Sequence, residues 1–171
     1  LSPEVTPLRE GDAYPAMPED GYGWEKLFSE RMCRHFSEDF GLITRVGRYH
    51  NVYGPHGTWD GGREKAPAAI CRKVAEADDG GFIEVWGDGT AVRSYTYVDD
   101  LVDGLVRLMN SPADLTGPIN LGNPREFTVR QLAEMVIQMT GSRSKIEFRP
   151  LPVDDPKQRQ PDIALARKAL D

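Results

Sequence analysis

The chain has 171 residues, 39% hydrophobic and 28% charged, which is enough apolar material for the core of an ordinary domain and excludes wholesale disorder. Its 27 acidic and 21 basic residues give a net charge of -6, which excludes general affinity for nucleic acid or an anionic membrane surface but leaves room for a local basic site that takes a phosphorylated small molecule. No run of about 18 apolar residues is present to span a bilayer, and Leu1-Ser2-Pro3-Glu4 lacks the basic region and apolar stretch of an export signal, so a cytoplasmic location is expected.

The chain starts without methionine on a Pro-rich loop, Leu1 to Pro18, and reads as a fragment. Tyr22 to Phe40 follows with a helical spacing that sets Leu27, Met32, Phe36 and Phe40 on or near one face, and Gly41 is a helix stop. Ile43 to Tyr49 reads as a strand, and Asn51 to Gly62, rich in Gly, Pro, His and Trp, as a loop that carries function. A second helix opens at Pro67, where a missing N–H is harmless, and runs past Val74. Phe82 to Trp86 and Ser94 to Val98 alternate as strands, and Gly87-Asp88-Gly89 between them predicts a hairpin connection.

Asp99 is positioned to cap a third helix through Met109, ended by Ser111-Pro112, and Ile119 to Leu121 is a brief strand. Thr128 and Gln131 form a capping box for a fourth helix with Val129, Leu132, Met135, Val136 and Met139 inward and Gly141 at its end. Lys145 to Arg149 is one more strand, Asp154 to Pro161 a polar loop, and Ile163 to Leu170 a last helix. Cys33 and Cys71 make neither a disulfide framework nor, with His35, His50 and His56, a zinc ligand set. Both cysteines are expected in the packed core, as are Trp59 and Trp86 unless these line a pocket. His50 and His56 read as hydrogen-bonding supports in their loop.

Tyr22 and Lys26 stand four apart at the start of the first helix, so both project into the same space. A phenol of pKa about 10 is a poor base at neutral pH, but a neighbouring ammonium favours the phenolate, which then accepts a proton from a hydroxyl as hydride leaves its carbon. Three landmarks occur in order: Tyr22-Gly23-Trp24-Glu25-Lys26, Arg48-Tyr49-His50-Asn51-Val52-Tyr53-Gly54-Pro55, and Arg93-Ser94-Tyr95-Thr96-Tyr97-Val98-Asp99-Asp100. Together they resemble the extended short-chain dehydrogenase/reductase family that acts on nucleotide sugars. The resemblance implies a catalytic Tyr22/Lys26 pair that also binds the NAD cofactor, Asn51 against the sugar nucleotide, and Arg93 with the later Arg159 on its diphosphate.

The stretch Gly57-Thr58-Trp59-Asp60-Gly61-Gly62-Arg63-Glu64-Lys65-Ala66-Pro67-Ala68-Ala69-Ile70-Cys71-Arg72-Lys73 resembles the GDP-mannose 3,5-epimerase branch of that family. This implies an isomerase that converts GDP-mannose to GDP-L-galactose through a transient 4-keto sugar on retained NAD. Exchange of a proton from one face of a carbon to the other needs an acid/base beyond the Tyr/Lys pair. The resemblance gives that role to Lys65, with an upstream cysteine outside this sequence as its counterpart, and places Glu64, Lys65 and Lys73 on the substrate.

The last third, Ile119-Asn120-Leu121-Gly122-Asn123-Pro124 through Phe148-Arg149-Pro150-Leu151-Pro152 and Gln160-Pro161-Asp162-Ile163, is more similar to UDP-glucuronate decarboxylases. A UDP-sugar epimerase or decarboxylase, or a non-catalytic nucleotide-sugar-binding fragment, therefore stays open. The expected fold is α/β: an incomplete doubly wound (Rossmann-like) NAD-binding domain with a smaller α/β nucleotide-sugar-binding domain. Residues 1–52 fall to the first, and 53–171 mainly to the second, with returns to the first near 94–123. The upstream parts needed for activity are expected to lie outside the chain. Phe28, Met32 and Phe36 supply either the apolar face of a homodimer contact or part of the core.

Overall fold

A computed structural model describes residues 6–15, 18, 21–150 and 158–170, with residues 158 and 159 described by their backbone alone. In chain order the elements are a 3₁₀ turn Glu10–Ala13, α1 Gly21–Phe40, β1 Gly47–Tyr49, β2 Val52–Tyr53, α2 Ala66–Glu76, β3 Phe82–Trp86, β4 Val92–Ser94, β5 Thr96–Tyr97, α3 Val98–Asn110, β6 Ile119–Leu121, β7 Glu126–Thr128, α4 Val129–Thr140, β8 Lys145–Arg149, β9 Gln158–Arg159 and α5 Ala164–Leu170. The fold is α/β with mostly parallel pairing: β1 with β6, β2 with β5, β3 with β8 and β4 with β9, while β4 and β7 run antiparallel.

Two apolar clusters hold these elements. In one, Ile70 and Val74 of α2 meet Ile83 and Val85 of β3, Tyr95, and Leu132, Ala133 and Val136 of α4. In the other, Leu101 and Leu108 of α3 close over Ile119 and Leu121 of β6. Complete burial of a side chain of this size stabilises by about 1.5 to 3 kcal/mol. The β3 pattern alternates exposed and buried, so Ile83 and Val85 enter the core and Phe82, Glu84 and Trp86 do not.

α4 is built as its sequence predicts. Thr128 Oγ accepts from the Gln131 N–H at 3.0 Å, and the Gln131 side chain accepts from the Thr128 N–H at 2.8 Å. Gly141 ends the helix in the left-handed conformation at φ 67°, with its N–H turned back to the last turn. Its inward face is narrower than predicted, because Met139 is 80% exposed and Met135 lies outside the packed face.

Several other expectations are corrected. The first predicted strand shortens to Gly47–Tyr49, and the segment assigned to loop contains the two-residue β2. Gly87-Asp88-Gly89 does turn the chain, but not into a hairpin: Gly87 N–H goes to Arg149 O of β8, and Gly89 O and Ala91 O accept from Arg130 and Val129 at the start of α4. The turn thereby hands β4 to a different sheet, beside β7 and β9. Tyr97, not Asp99, sits at the α3 N-cap; Asp99 and Asp100 lie in the first turn, where a carboxylate complements the helix dipole.

Trp59 and Trp86 are exposed rather than in the core, as is Cys71, while Cys33 is half-buried. Gln158–Arg159, expected in a loop, forms β9; residues 154–157 of that loop, like 1–5, 16 and 17 of the first one, lie outside the described residues.

Candidate active site

The Tyr22/Lys26 pair stands at the exposed beginning of α1, where the Lys26 ammonium lies 4.9 Å from the centre of the Tyr22 ring. Four residues make slightly more than one helical turn, which stacks the two side chains on one face. Glu25 binds the ammonium at 3.0 Å. That hydrogen bond and the Glu25 charge, with a smaller contribution from Tyr22, hold Lys26 above its ordinary pKa, so it stays a cation. A fixed positive charge beside a phenol is the arrangement that favours phenolate at a proton-transfer site.

β1 leads from Gly47 to Tyr49 and delivers His50 and Asn51. Asn51 takes φ 42°, a conformation its short amide tolerates, donates from Nδ2 to Ser94 O at 3.1 Å, and accepts at its own carbonyl from Thr96 N–H. It therefore joins the end of β1 to β4 and β5, one residue from Arg93. The His50 carbonyl accepts from Thr96 Oγ1 at 2.7 Å, and its ring Nε2 lies 3.5 Å from Asn120 Oδ1. Arg93 is half-buried on β4, and the register sets its backbone beside that of Arg159 on β9. Two backbones carrying guanidinium residues are thus adjacent, the composition that suits a diphosphate.

The loop before α2 brings the third group. Lys65 is the N-cap residue of α2, with an exposed ammonium that has no hydrogen-bond or ion-pair partner among the described residues. Glu64 beside it is turned inward, and its carboxyl is held below the usual carboxylate range by its own backbone N–H, by that of Gly62 and by Arg72. Lys73, expected on substrate, donates to Glu84 O at 2.7 Å and ties α2 to β3.

Sequence reasoning gave no role to two arginines. Arg72 binds the Trp59 carbonyl, Glu64, Asp60 and Glu76, and so fastens the 59–65 loop to α2. Arg48 forms a two-pronged ion pair with Glu30 of α1. Glu30 lies 18 residues from Arg48 and the Trp59 carbonyl 13 from Arg72, separations that no local spacing reveals, whereas Arg72–Glu76 is an ordinary i,i+4 helix pair; placement inside the quoted landmarks was the other signal. Two open depressions, of about 580 and 360 Å³, run along α5 and contain none of the predicted site residues.

This order of helix pair, Asn-bearing strand end and arginine strand has counterparts. The sequence pattern described as the NAD dependent epimerase/dehydratase family matches residues 2–122. The chain belongs to that family. It is 47% identical over 145 residues to GDP-mannose 3,5-epimerase of Arabidopsis thaliana, covering 85% of this chain and 37% of that protein. It is 37% identical over 171 residues to UDP-glucuronic acid decarboxylase 1 of Danio rerio, covering 98% of this chain and 39% of that protein. Among solved structures, UDP-glucose 4-epimerase of Thermotoga maritima with UDP-glucose superposes with a TM-score of 0.84 at 29% identity, over 98% of this chain and 52% of that one. The chain thus spans about two-fifths of the length of the curated relatives it matches. Among the described residues no helix is long and apolar enough to cross a membrane, and no group of three or more His, Cys, Asp or Glu is arranged to hold a metal ion.

Proposed function

We propose that this chain carries the acid/base pair and the sugar-nucleotide contacts of a GDP-mannose 3,5-epimerase. The observation that carries the reaction class is the Lys26 ammonium seated over the exposed Tyr22 ring at the head of α1. The 47% identity to the Arabidopsis enzyme carries the choice of substrate. An exposed phenol and a permanent cation on one helix face are a donor set that fits NAD, with Lys26 toward its ribose and Tyr22 toward the reacting sugar. When bound, NAD takes hydride from C4 of the hexose and later returns it.

Tyr22 removes the proton from the C4 hydroxyl, and Lys26 balances the phenolate charge. With C4 a ketone, the protons on C3 and C5 would become acidic; Lys65 supplies or removes a proton on one face of the ring, and the upstream cysteine expected outside this sequence makes the converse transfer on the other face. Arg93 and Arg159 hold the diphosphate, and Asn51, Glu64 and Lys73 the sugar nucleotide, Lys73 by exchanging the Glu84 carbonyl for substrate.

The same reading divides the chain into a cofactor-side unit, 1–52 with returns near 94–123, and a sugar-side unit over the remainder; the pairing of β1 with β6 and β2 with β5 supports it. It also includes a cytoplasmic enzyme that dimerises through the exposed Phe28 face of α1. A second reading, UDP-glucuronate decarboxylation, is supported by the match to the Danio protein over 98% of the chain.

The deciding assay offers GDP-mannose and UDP-glucuronate to the full-length protein in D₂O and follows deuterium at C3 and C5. Epimerisation predicts deuterium at both carbons of the GDP sugar, and Lys65→Met predicts loss of inversion at C5 with C4 oxidation retained. Release of CO₂ from the UDP sugar refutes the choice of substrate, and inversion at C5 undiminished in Lys65→Met refutes the Lys65 role.

A further inference from the structure

Tyr22, Lys26 and Glu30 stand at i, i+4 and i+8 on α1, so Glu30 is near the same stripe of the helix as the Tyr22/Lys26 pair. Glu30 is gripped by Arg48 of β1: Nε and Nη2 each donate to one carboxylate oxygen at 2.7 Å, with only 18% and 17% of the two side chains exposed. The third arm of the guanidinium, Nη1, donates to Glu10 O at 2.8 Å, and the Glu10 carboxylate accepts from the N–H of Asn120, the β6 residue in register with Arg48. One arginine therefore ties α1, the segment before it and both strands β1 and β6 together. Three residues beyond Arg48 is Asn51.

Among the described residues no side chain of α1 is fully buried, whereas the Arg48–Glu30 pair that ties the helix to β1 is more than four-fifths covered. We propose that Arg48 and Glu30 are positioning residues that set the rotation of α1 and thereby the aim of Tyr22 and Lys26 relative to Asn51. A fork-to-fork pair is suited to this because it constrains orientation as well as distance. On a helix about 6 Å in radius with side chains, a rotation of about 10° moves a side-chain tip by about 1 Å. A misplacement of that size costs about 100-fold in rate.

The inference rests on the Tyr22/Lys26 reading, and the test separates the two. In the full-length protein, kcat and KM for GDP-mannose are measured in Arg48→Lys, Glu30→Gln and the double variant Glu30→Met/Arg48→Met, with Tyr22→Phe as the control. Apolar residues of similar volume often replace a buried ion pair without loss of stability. A purely structural pair is therefore rescued by the double variant, and a positioning pair is not.

The expected result is a fall in kcat of about 10- to 100-fold with KM within about threefold in all three variants, including the double variant at a wild-type unfolding midpoint. Arg48→Lys keeps the charge and loses the fork, so it carries the same test where the double variant folds poorly. Hydrogen exchange gives a readout independent of turnover: amides of residues 22–30 exchange faster, and those of 66–76 and 129–140 are unchanged. A wild-type kcat in the double variant or in Arg48→Lys, with Tyr22→Phe inactive, overturns the positioning role alone. An active Tyr22→Phe overturns the reading of the pair and the inference with it.

Discussion

Gly89 and Gly141 share a backbone conformation and differ in surroundings, which makes them a matched pair for alanine substitution. Gly141 has φ 67°, and a Cβ there would meet nothing within 4 Å. Gly89 has φ 78°, and its Cβ would lie 2.7 Å from Cε1 of Phe148 and 3.0 Å from Cβ of Arg130. The left-handed conformation costs an L-residue roughly 1 to 2 kcal/mol, and Gly141→Ala should lose that amount and no more. Gly89→Ala adds overpacking, which typically costs 1 to 3 kcal/mol. The Phe148 ring edge can swing aside, but the Arg130 Cβ is fixed to the first turn of α4, whose N–H bonds Gly89 O. The increment therefore belongs in the lower half of that range, for a total of about 2 to 4 kcal/mol. Urea unfolding of the two variants and wild type, compared at constant m value, measures the difference. A Gly89→Ala midpoint equal to or above that of Gly141→Ala would mean that the turn does not press on β8 and α4 as described.

Thr128→Ala removes the capping box of α4 and should lower stability by about 1 kcal/mol, with Thr128→Ser restoring most of it, read from the same urea midpoints. Glu64 gives a pH signature: its folded pKa is depressed, so its contribution is complete above the unfolded value, about 4.3, and is lost as pH falls through the folded one. Wild type should accordingly exceed Glu64→Gln in stability at pH 7, and the gap should narrow as pH falls below the unfolded value; a gap that does not narrow in acid contradicts the hydrogen bonds assigned to the Glu64 carboxylate from its own N–H, that of Gly62 and Arg72.

What the sequence announced was local. The α4 cap and stop, the Pro at the start of α2 and the alternation of β3 are each encoded within a few residues, and the structure follows them. The Tyr22/Lys26 geometry follows from helical period alone. What local spacing did not announce was pairing: Gly87-Asp88-Gly89 carries every mark of a hairpin, yet β3 takes β8 as its partner because burying Ile83 and Val85 between α2 and α4 decides the matter. Trp59 and Trp86 were misplaced because hydrophobicity predicts burial only where an element has something to face. Arg48, Arg72 and Lys73 illustrate the same limit in polar form: each is committed to a contact that becomes visible only when distant segments meet.

The parallel ladder between Phe82–Trp86 and Lys145–Arg149 has a consequence for biosynthesis. Strand β3 leaves the ribosome 63 residues ahead of its mate, a wait of about 3 to 13 s at about 5 to 20 residues per second. Until α4 and then β8 emerge, Ile83 and Val85 have only α2 against them, and a strand with a part-covered apolar face and unpaired amides is a template for association with other nascent chains. Translation speed across α4 and holdase chaperones that bind extended apolar segments therefore bear on the yield of this protein more than on its final stability. A product that terminates ahead of Lys145 would keep that sticky edge for good.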